Sequence, residues 1–67
     1  MKRTEIHHRT EVGRTAVRHY VNNVLDRTER MAHDTLVDAM TFAYITADDS
    51  ADEVLFFIDG VEFAVTA

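Results

Sequence analysis

The chain has no cysteine and no proline, and only two glycines. Without cysteine there is no disulfide, and no thiolate to bind a metal or act as a nucleophile. No apolar run approaches the roughly 20 residues that span a bilayer, so no membrane partner is expected. The opening MKRTEIHHRT is positively charged but lacks the apolar segment of a signal peptide. A cytoplasmic protein is the expectation.

Charge of one sign is also missing from more than half of the chain. All seven cations (Lys2, Arg3, Arg9, Arg14, Arg18, Arg27 and Arg30) lie in the first thirty residues, beside four carboxylates. From Met31 onward there are eight carboxylates and no Lys or Arg. Such sorting implies that the halves pair with each other or that each faces a different partner.

What is present suits a small globular fold. A chain of 67 residues is expected to form one domain that buries only about 60% of its unfolded surface. Chains of this size lean on a disulfide, a metal, a partner or an unusually good core. Hydrophobic content of 46% argues against disorder. A good core, a partner, or both remain.

The forceful turn signal is Asp59-Gly60, set between Val54–Ile58 and Val61–Val65. Asp-Gly between β-formers marks a type I′ hairpin, whose two central residues need positive φ. Strands are expected at 53–58 and 61–66. Over 10–33 the spacing predicts a helix. Ala16, Val17, Tyr20, Val21, Val24, Leu25, Thr28, Met31 and Ala32 fall within one half of a helical wheel. Thr10 would cap it, and Arg27, Arg30 and His33 would suit its C-terminal end. Residues 35–47 are ambiguous. Leu36, Ala39, Met40, Ala43 and Tyr44 fit a helix stripe, whereas Thr41, Phe42, Tyr44, Ile45 and Thr46 are β-formers. Asp48 and Asp49 would sit badly at a helix C-terminus, which favours a strand at 38–47 followed by an acidic hairpin loop. Residues 1–9 are an irregular arm or an edge strand. The expected fold is α+β: one long amphipathic helix packed on a three-stranded antiparallel meander, in the order α-β-β-β.

On that fold one helix covers one sheet face. The other face would carry Leu55 and Phe57, joined by Phe42 and Tyr44 in one register of the first strand. An aromatic cluster without cover marks an interaction surface, so these four residues are expected to mediate homodimerisation. The predicted helix has an apolar sector about 180° wide where about 100° suffices for one contact, which also points to a second chain.

Other chemistries find little support. His7 and His8 are adjacent and diverge in any regular element, and on a helix His19 and His33 are too far apart to share a metal ion. The run from Asp48 to Glu53 lacks the central glycine and terminal glutamate of a calcium loop. No glycine-rich phosphate loop or nucleophile–base pairing is present, so no cofactor and no catalysis are expected.

The expected function is therefore that of a small non-enzymatic protein–protein interaction module. Asp48, Asp49, Asp52 and Glu53 form its densest acidic cluster. They would dock on a basic groove of another protein and inhibit or modulate it. Tiny acidic chains of this kind occur among accessory proteins of phages and mobile elements, an analogy of size and charge and not of motif. The alternatives are a homodimeric nucleic-acid-binding protein using Arg14, Arg18, Arg27 and Arg30 on the predicted helix, or a structural assembly subunit.

Overall fold

Residues 14–18 alternate in burial with a period of two, and 14–32 form strands where the wheel pattern predicts a helix. In a computed structural model describing residues 1–49 and 53–65, the elements in chain order are β1 (Lys2–Arg9), β2 (Arg14–Val21), β3 (Val24–Ala32), α1 (Leu36–Asp49), β4 (Glu53–Ile58) and β5 (Val61–Phe63). Thr15 and Val17 are buried while Arg14 and Arg18 are exposed. A two-residue period projected on a helical wheel smears across half of it, which is why the apolar sector looked too wide. The decisive local signal is Asn22-Asn23. Their φ angles are 51° and 65°, and asparagine tolerates the left-handed region better than other side chains. Two successive positive φ values close a tight hairpin between β2 and β3.

The strand expected at 38–47 is instead α1. Thr35 caps it, with the Asp38 amide donating to the Thr35 hydroxyl at 3.2 Å, and Asp38 lies in the first turn where the helix dipole favours negative charge. Ala39 and Ala43 are fully buried, and their small side chains let the helix sit close to the sheet. These gains outweigh the β-propensity of Phe42, Tyr44 and Ile45. The last turn contains no basic residue, but Asp48 and Asp49 are exposed, where solvent holds a dipole mismatch to below about 1 kcal/mol.

The three-stranded meander is replaced by a five-stranded mixed sheet in the order β3-β2-β1-β4-β5. Residues 2–9 are thus the central strand, neither arm nor edge. β1 pairs antiparallel with β2 and parallel with β4, with Ile6 opposite both Val17 and Phe56. A parallel neighbour requires a crossover, and α1 supplies it by joining β3 to β4. The Asp59-Gly60 turn closes β4 on β5, with Ile58 opposite Val61 and Phe56 opposite Phe63. β5 stops at Phe63; Ala64 and Val65 lie outside it, and Thr66 is beyond the described residues.

α1 covers one face of this sheet, and the core is Ile6, Val17, Ala39, Ala43, Phe56 and Val65. Beside it runs a buried polar chain. The Thr15 hydroxyl lies 2.9 Å from His8 Nδ1 and 2.7 Å from His33 Nδ1. It ties β1 and β2 to the segment that leads into α1. Among the described residues no helix is long and apolar enough to cross a membrane.

Gly13 shows how tightly the β1–β2 loop is fixed. Its φ is 61°, and an added Cβ would lie 3.4 Å from the His33 carbonyl. A side chain in the left-handed region costs about 1–2 kcal/mol. Gly13→Ala is expected to lower the melting temperature by roughly 4–8 °C per kcal/mol lost, measured by thermal denaturation. An unchanged midpoint would show that this loop relaxes freely.

Candidate functional site

The sheet gathers most of the cations on one surface, where Glu5, Glu53 and Glu62 also lie. Odd residues of β1, even residues of β2 up to Tyr20 and odd residues of β4 point away from α1, as the registers Glu5 with Arg18 and Glu5 with Leu55 require. The surface opposite α1 is therefore rich in arginine. On α1 itself Ala39 and Ala43 point inward, so residues half a turn away point to solvent.

That outward helix surface joins apolar and acidic groups. Val37 is 70% exposed, Ile45 56% and Tyr44 44%. Asp38, Asp48 and Asp49 lie among them and are exposed. At 100° per residue all six fall in one sector, from Tyr44 round to Asp49. None of the three aspartates forms an ion pair among the described residues, and the chain has no Lys or Arg beyond Arg30 to supply one.

The four acidic residues expected to bind a partner are distributed differently from a hairpin loop. Asp48 and Asp49 end α1, and Glu53 opens β4 opposite Arg3 on the uncovered sheet face. Asp52 lies outside the described residues. The four expected self-association residues also separate. Leu55 and Phe57 are half-buried on the uncovered face. Phe42 lies on α1 with its ring 5.2 Å from that of His33, packed against the core. Tyr44 belongs to the outward helix surface. Phe57 already has cover within the chain, since the His7 ring stacks on it at 4.5 Å and 4°.

The uncovered sheet face divides in two. Near Tyr20 it is knitted together. Arg3 lies 4.5 Å over the Tyr20 ring, donates to Glu5 at 2.9 Å and to Asn23 at 2.8 Å, and His7 meets Glu5 at 3.0 Å. Near the β1–β2 loop it opens into a hollow of about 420 Å³ lined by Arg9, Arg14, Arg18 and Arg30 with Val12 and Met31. None of these four arginines has an ion-pair partner among the described residues. Wheel geometry predicts Arg14, Arg18 and Arg30 on a helix; the alternation of Arg14, Ala16 and Arg18 with buried Thr15 and Val17 is the signal that puts them on one sheet face. The histidines are dispersed. His7 stacks on Phe57, His8 and His33 share Thr15, and His19 lies 3.4 Å from Glu29.

Two carboxylates report on this framework. Burial works against the charge of Glu5, but hydrogen bonds and charge from His7 and Arg3 outweigh it and hold its carboxyl below the ordinary 4.5. Thr10 lowers Asp59 through two hydrogen bonds, from its hydroxyl at 2.6 Å and its amide at 3.0 Å. A depressed folded value means stability that is present above the unfolded value and lost as pH falls through the folded one. The melting temperature is expected to drop as pH falls below 4.5, with a shallower acid limb in Glu5→Gln. An identical acid limb in parent and variant would remove Glu5 from this role.

No protein-family model matches the chain, and neither a curated protein nor a solved structure shows significant similarity to it, so its surfaces alone speak for its function.

Proposed function

We propose that this chain is a small non-enzymatic protein–protein interaction module that acts in the cytoplasm through the outward surface of α1. The observation that carries this reading is the exposure of Val37, Tyr44 and Ile45 in one sector with Asp38, Asp48 and Asp49. A surface helix normally turns its apolar stripe to its own core. Here Val37, and two turns on Tyr44 and Ile45, face solvent with exposed Thr41 between them, and apolar groups rimmed by charge are typical of a contact site. The matching partner presents an apolar groove edged with lysine or arginine, as in helix-in-groove recognition. Unpaired aspartates speed encounter with such a groove and select against acidic surfaces. Occupying the groove would block whatever else the partner binds there.

A second reading has its own support. Arg9, Arg14, Arg18 and Arg30 surround an open hollow with no carboxylate partner among the described residues, and phosphate groups of a nucleic acid would suit them. The aromatic rings of that face are less suited to stacking bases, since His7 covers Phe57 and Arg3 covers Tyr20.

Affinity for the purified partner separates the two. Ile45→Asp should weaken binding roughly tenfold or more, because a central apolar anchor is worth about 2 kcal/mol, while Arg14→Ala with Arg18→Ala leaves it unchanged. The reverse pattern, with strongly salt-dependent binding of a single-stranded oligonucleotide lost in the double arginine variant, would favour the second reading.

A further inference from the structure

The edge strand β3 carries a self-complementary sequence. It spans Val24–Ala32 at one border of the sheet, with β2 on one side and no strand on the other. Every residue except Met31 is exposed. Unpaired strand edges invite pairing with another strand. Reading outward from Thr28, the neighbours are Arg27 and Glu29, then Asp26 and Arg30, then Leu25 and Met31, then Val24 and Ala32. Each step sets a cation against a carboxylate or an apolar residue against another.

We infer that β3 is a homodimerisation edge, pairing antiparallel with β3 of a second copy about a two-fold axis through Thr28. In an antiparallel ladder, residues equidistant from that axis stand directly opposite on the same face. Arg27 then meets the second copy's Glu29, a contact that occurs twice by symmetry, and just beyond it Asp26 and the second copy's Arg30 bring opposite charges to the same end. No like charges oppose one another. Other registers fail. A slip of one residue turns the side chains to opposite faces, and it sets Asp26 against Glu29 or Arg27 against Arg30. Moving the axis to Arg27 or Glu29 sets charged residues against apolar or neutral ones.

The free chain is ready for this exchange. Among the described residues, the ion pairs of Arg27 and Glu29 are with each other and with His19, at 3.7 and 3.4 Å, with about half of the Glu29 and 63% of the Arg27 side chain exposed. Contacts that weak yield readily to a cross-strand pair. Asp26 is the residue left unpaired where the register shifts opposite His19 and Tyr20. That bulge twists the strand and ends the regular ladder at Arg27 of each copy, so the two Arg27–Glu29 contacts carry the pairing. A short, polar edge interface is small, so dissociation in the micromolar range is expected. A two-fold axis perpendicular to the sheet keeps both helices on one side and both arginine faces on the other. The dimer thus leaves the outward surface of each α1 free, and the inference holds whatever α1 binds.

Charge exchange tests it. Arg27→Glu sets two carboxylates against each other at both symmetry-related positions, and Glu29→Arg sets two cations there. The parent protein should sediment as a dimer at high micromolar concentration, and each single variant as a folded monomer, with circular dichroism confirming the fold. An equimolar mixture of the two variants restores opposite charges at both contacts and should again sediment as a dimer, as should the double variant carrying both changes. A monomeric parent would overturn the inference. So would single variants that dimerise like the parent, a mixture that stays monomeric, or a dimer lost in Phe57→Glu but kept in Arg27→Glu.

Discussion

Replacing Phe56 with alanine is expected to leave the chain largely unfolded at room temperature. Phe56 is 2% exposed on β4 and packs with Ile6, Val17, Ala39 and Ala43. Truncating a buried phenylalanine costs about 3–5 kcal/mol. A chain of 67 residues has, at about 0.05–0.15 kcal/mol per residue, a net stability of similar size. One substitution therefore removes a large part of the folding free energy or all of it. The control is Phe63, its cross-strand partner on the same face. Phe63 is 47% exposed, and Phe63→Ala should cost less than half as much. Urea unfolding followed by circular dichroism compares them. Equal losses at the two positions would mean that α1 does not lie where the core is drawn.

The second large effect concerns a polar group. Thr15→Val keeps the shape of the side chain and removes the hydroxyl that joins His8 and His33. Thr15 and His8 are 1% and 2% exposed, so the His8 ring nitrogen loses its partner and cannot reach water. A buried polar group left unpaired costs about 1–3 kcal/mol. His33 is only half-buried and can turn to solvent, so His8 sets the loss. Thr15→Ser keeps the hydroxyl and should retain most of the stability. At about 4–8 °C per kcal/mol, thermal melts resolve the two variants easily. Valine and serine variants of equal stability would mean that the hydroxyl bridge contributes nothing.

Some of this architecture was legible in the sequence. The Asp59-Gly60 turn is encoded locally, since φ is 50° and 85° there and few residue pairs accept both. The charge asymmetry is visible in the sequence, and the fold places most of the arginines on the sheet face away from α1, together with Glu53 and Glu62 of the acidic half. Asn22-Asn23 encodes a second hairpin by the same physics as Asp59-Gly60, yet it sits inside a stretch whose apolar residues fill half a helical wheel. Giving that broad sector more weight than the paired asparagines turned two strands into a helix. The error at 38–47 ran the other way. β-formers and the terminal aspartates point to a strand there, yet the Thr35 cap with Asp38 three residues later is a helix signal, and an exposed C-terminal mismatch is cheap. The parallel pairing of β1 with β4 joins segments some fifty residues apart, and no local pattern announces it. That pairing decides which side chains share a surface. It explains why Leu55 and Phe57 part company with Phe42 and Tyr44, and why four arginines gather on a sheet instead of a helix.

The claim that the outward surface of α1 is the working surface can be tested by one comparison. A photoreactive phenylalanine analogue is placed in place of Ile45 in one sample and in place of Arg18 in another, and each is irradiated in the cell of origin. The account expects one protein, with a groove edged by basic side chains, to be crosslinked from position 45 and not from position 18. Crosslinks to nucleic acid or protein from position 18, with none from position 45, would contradict it.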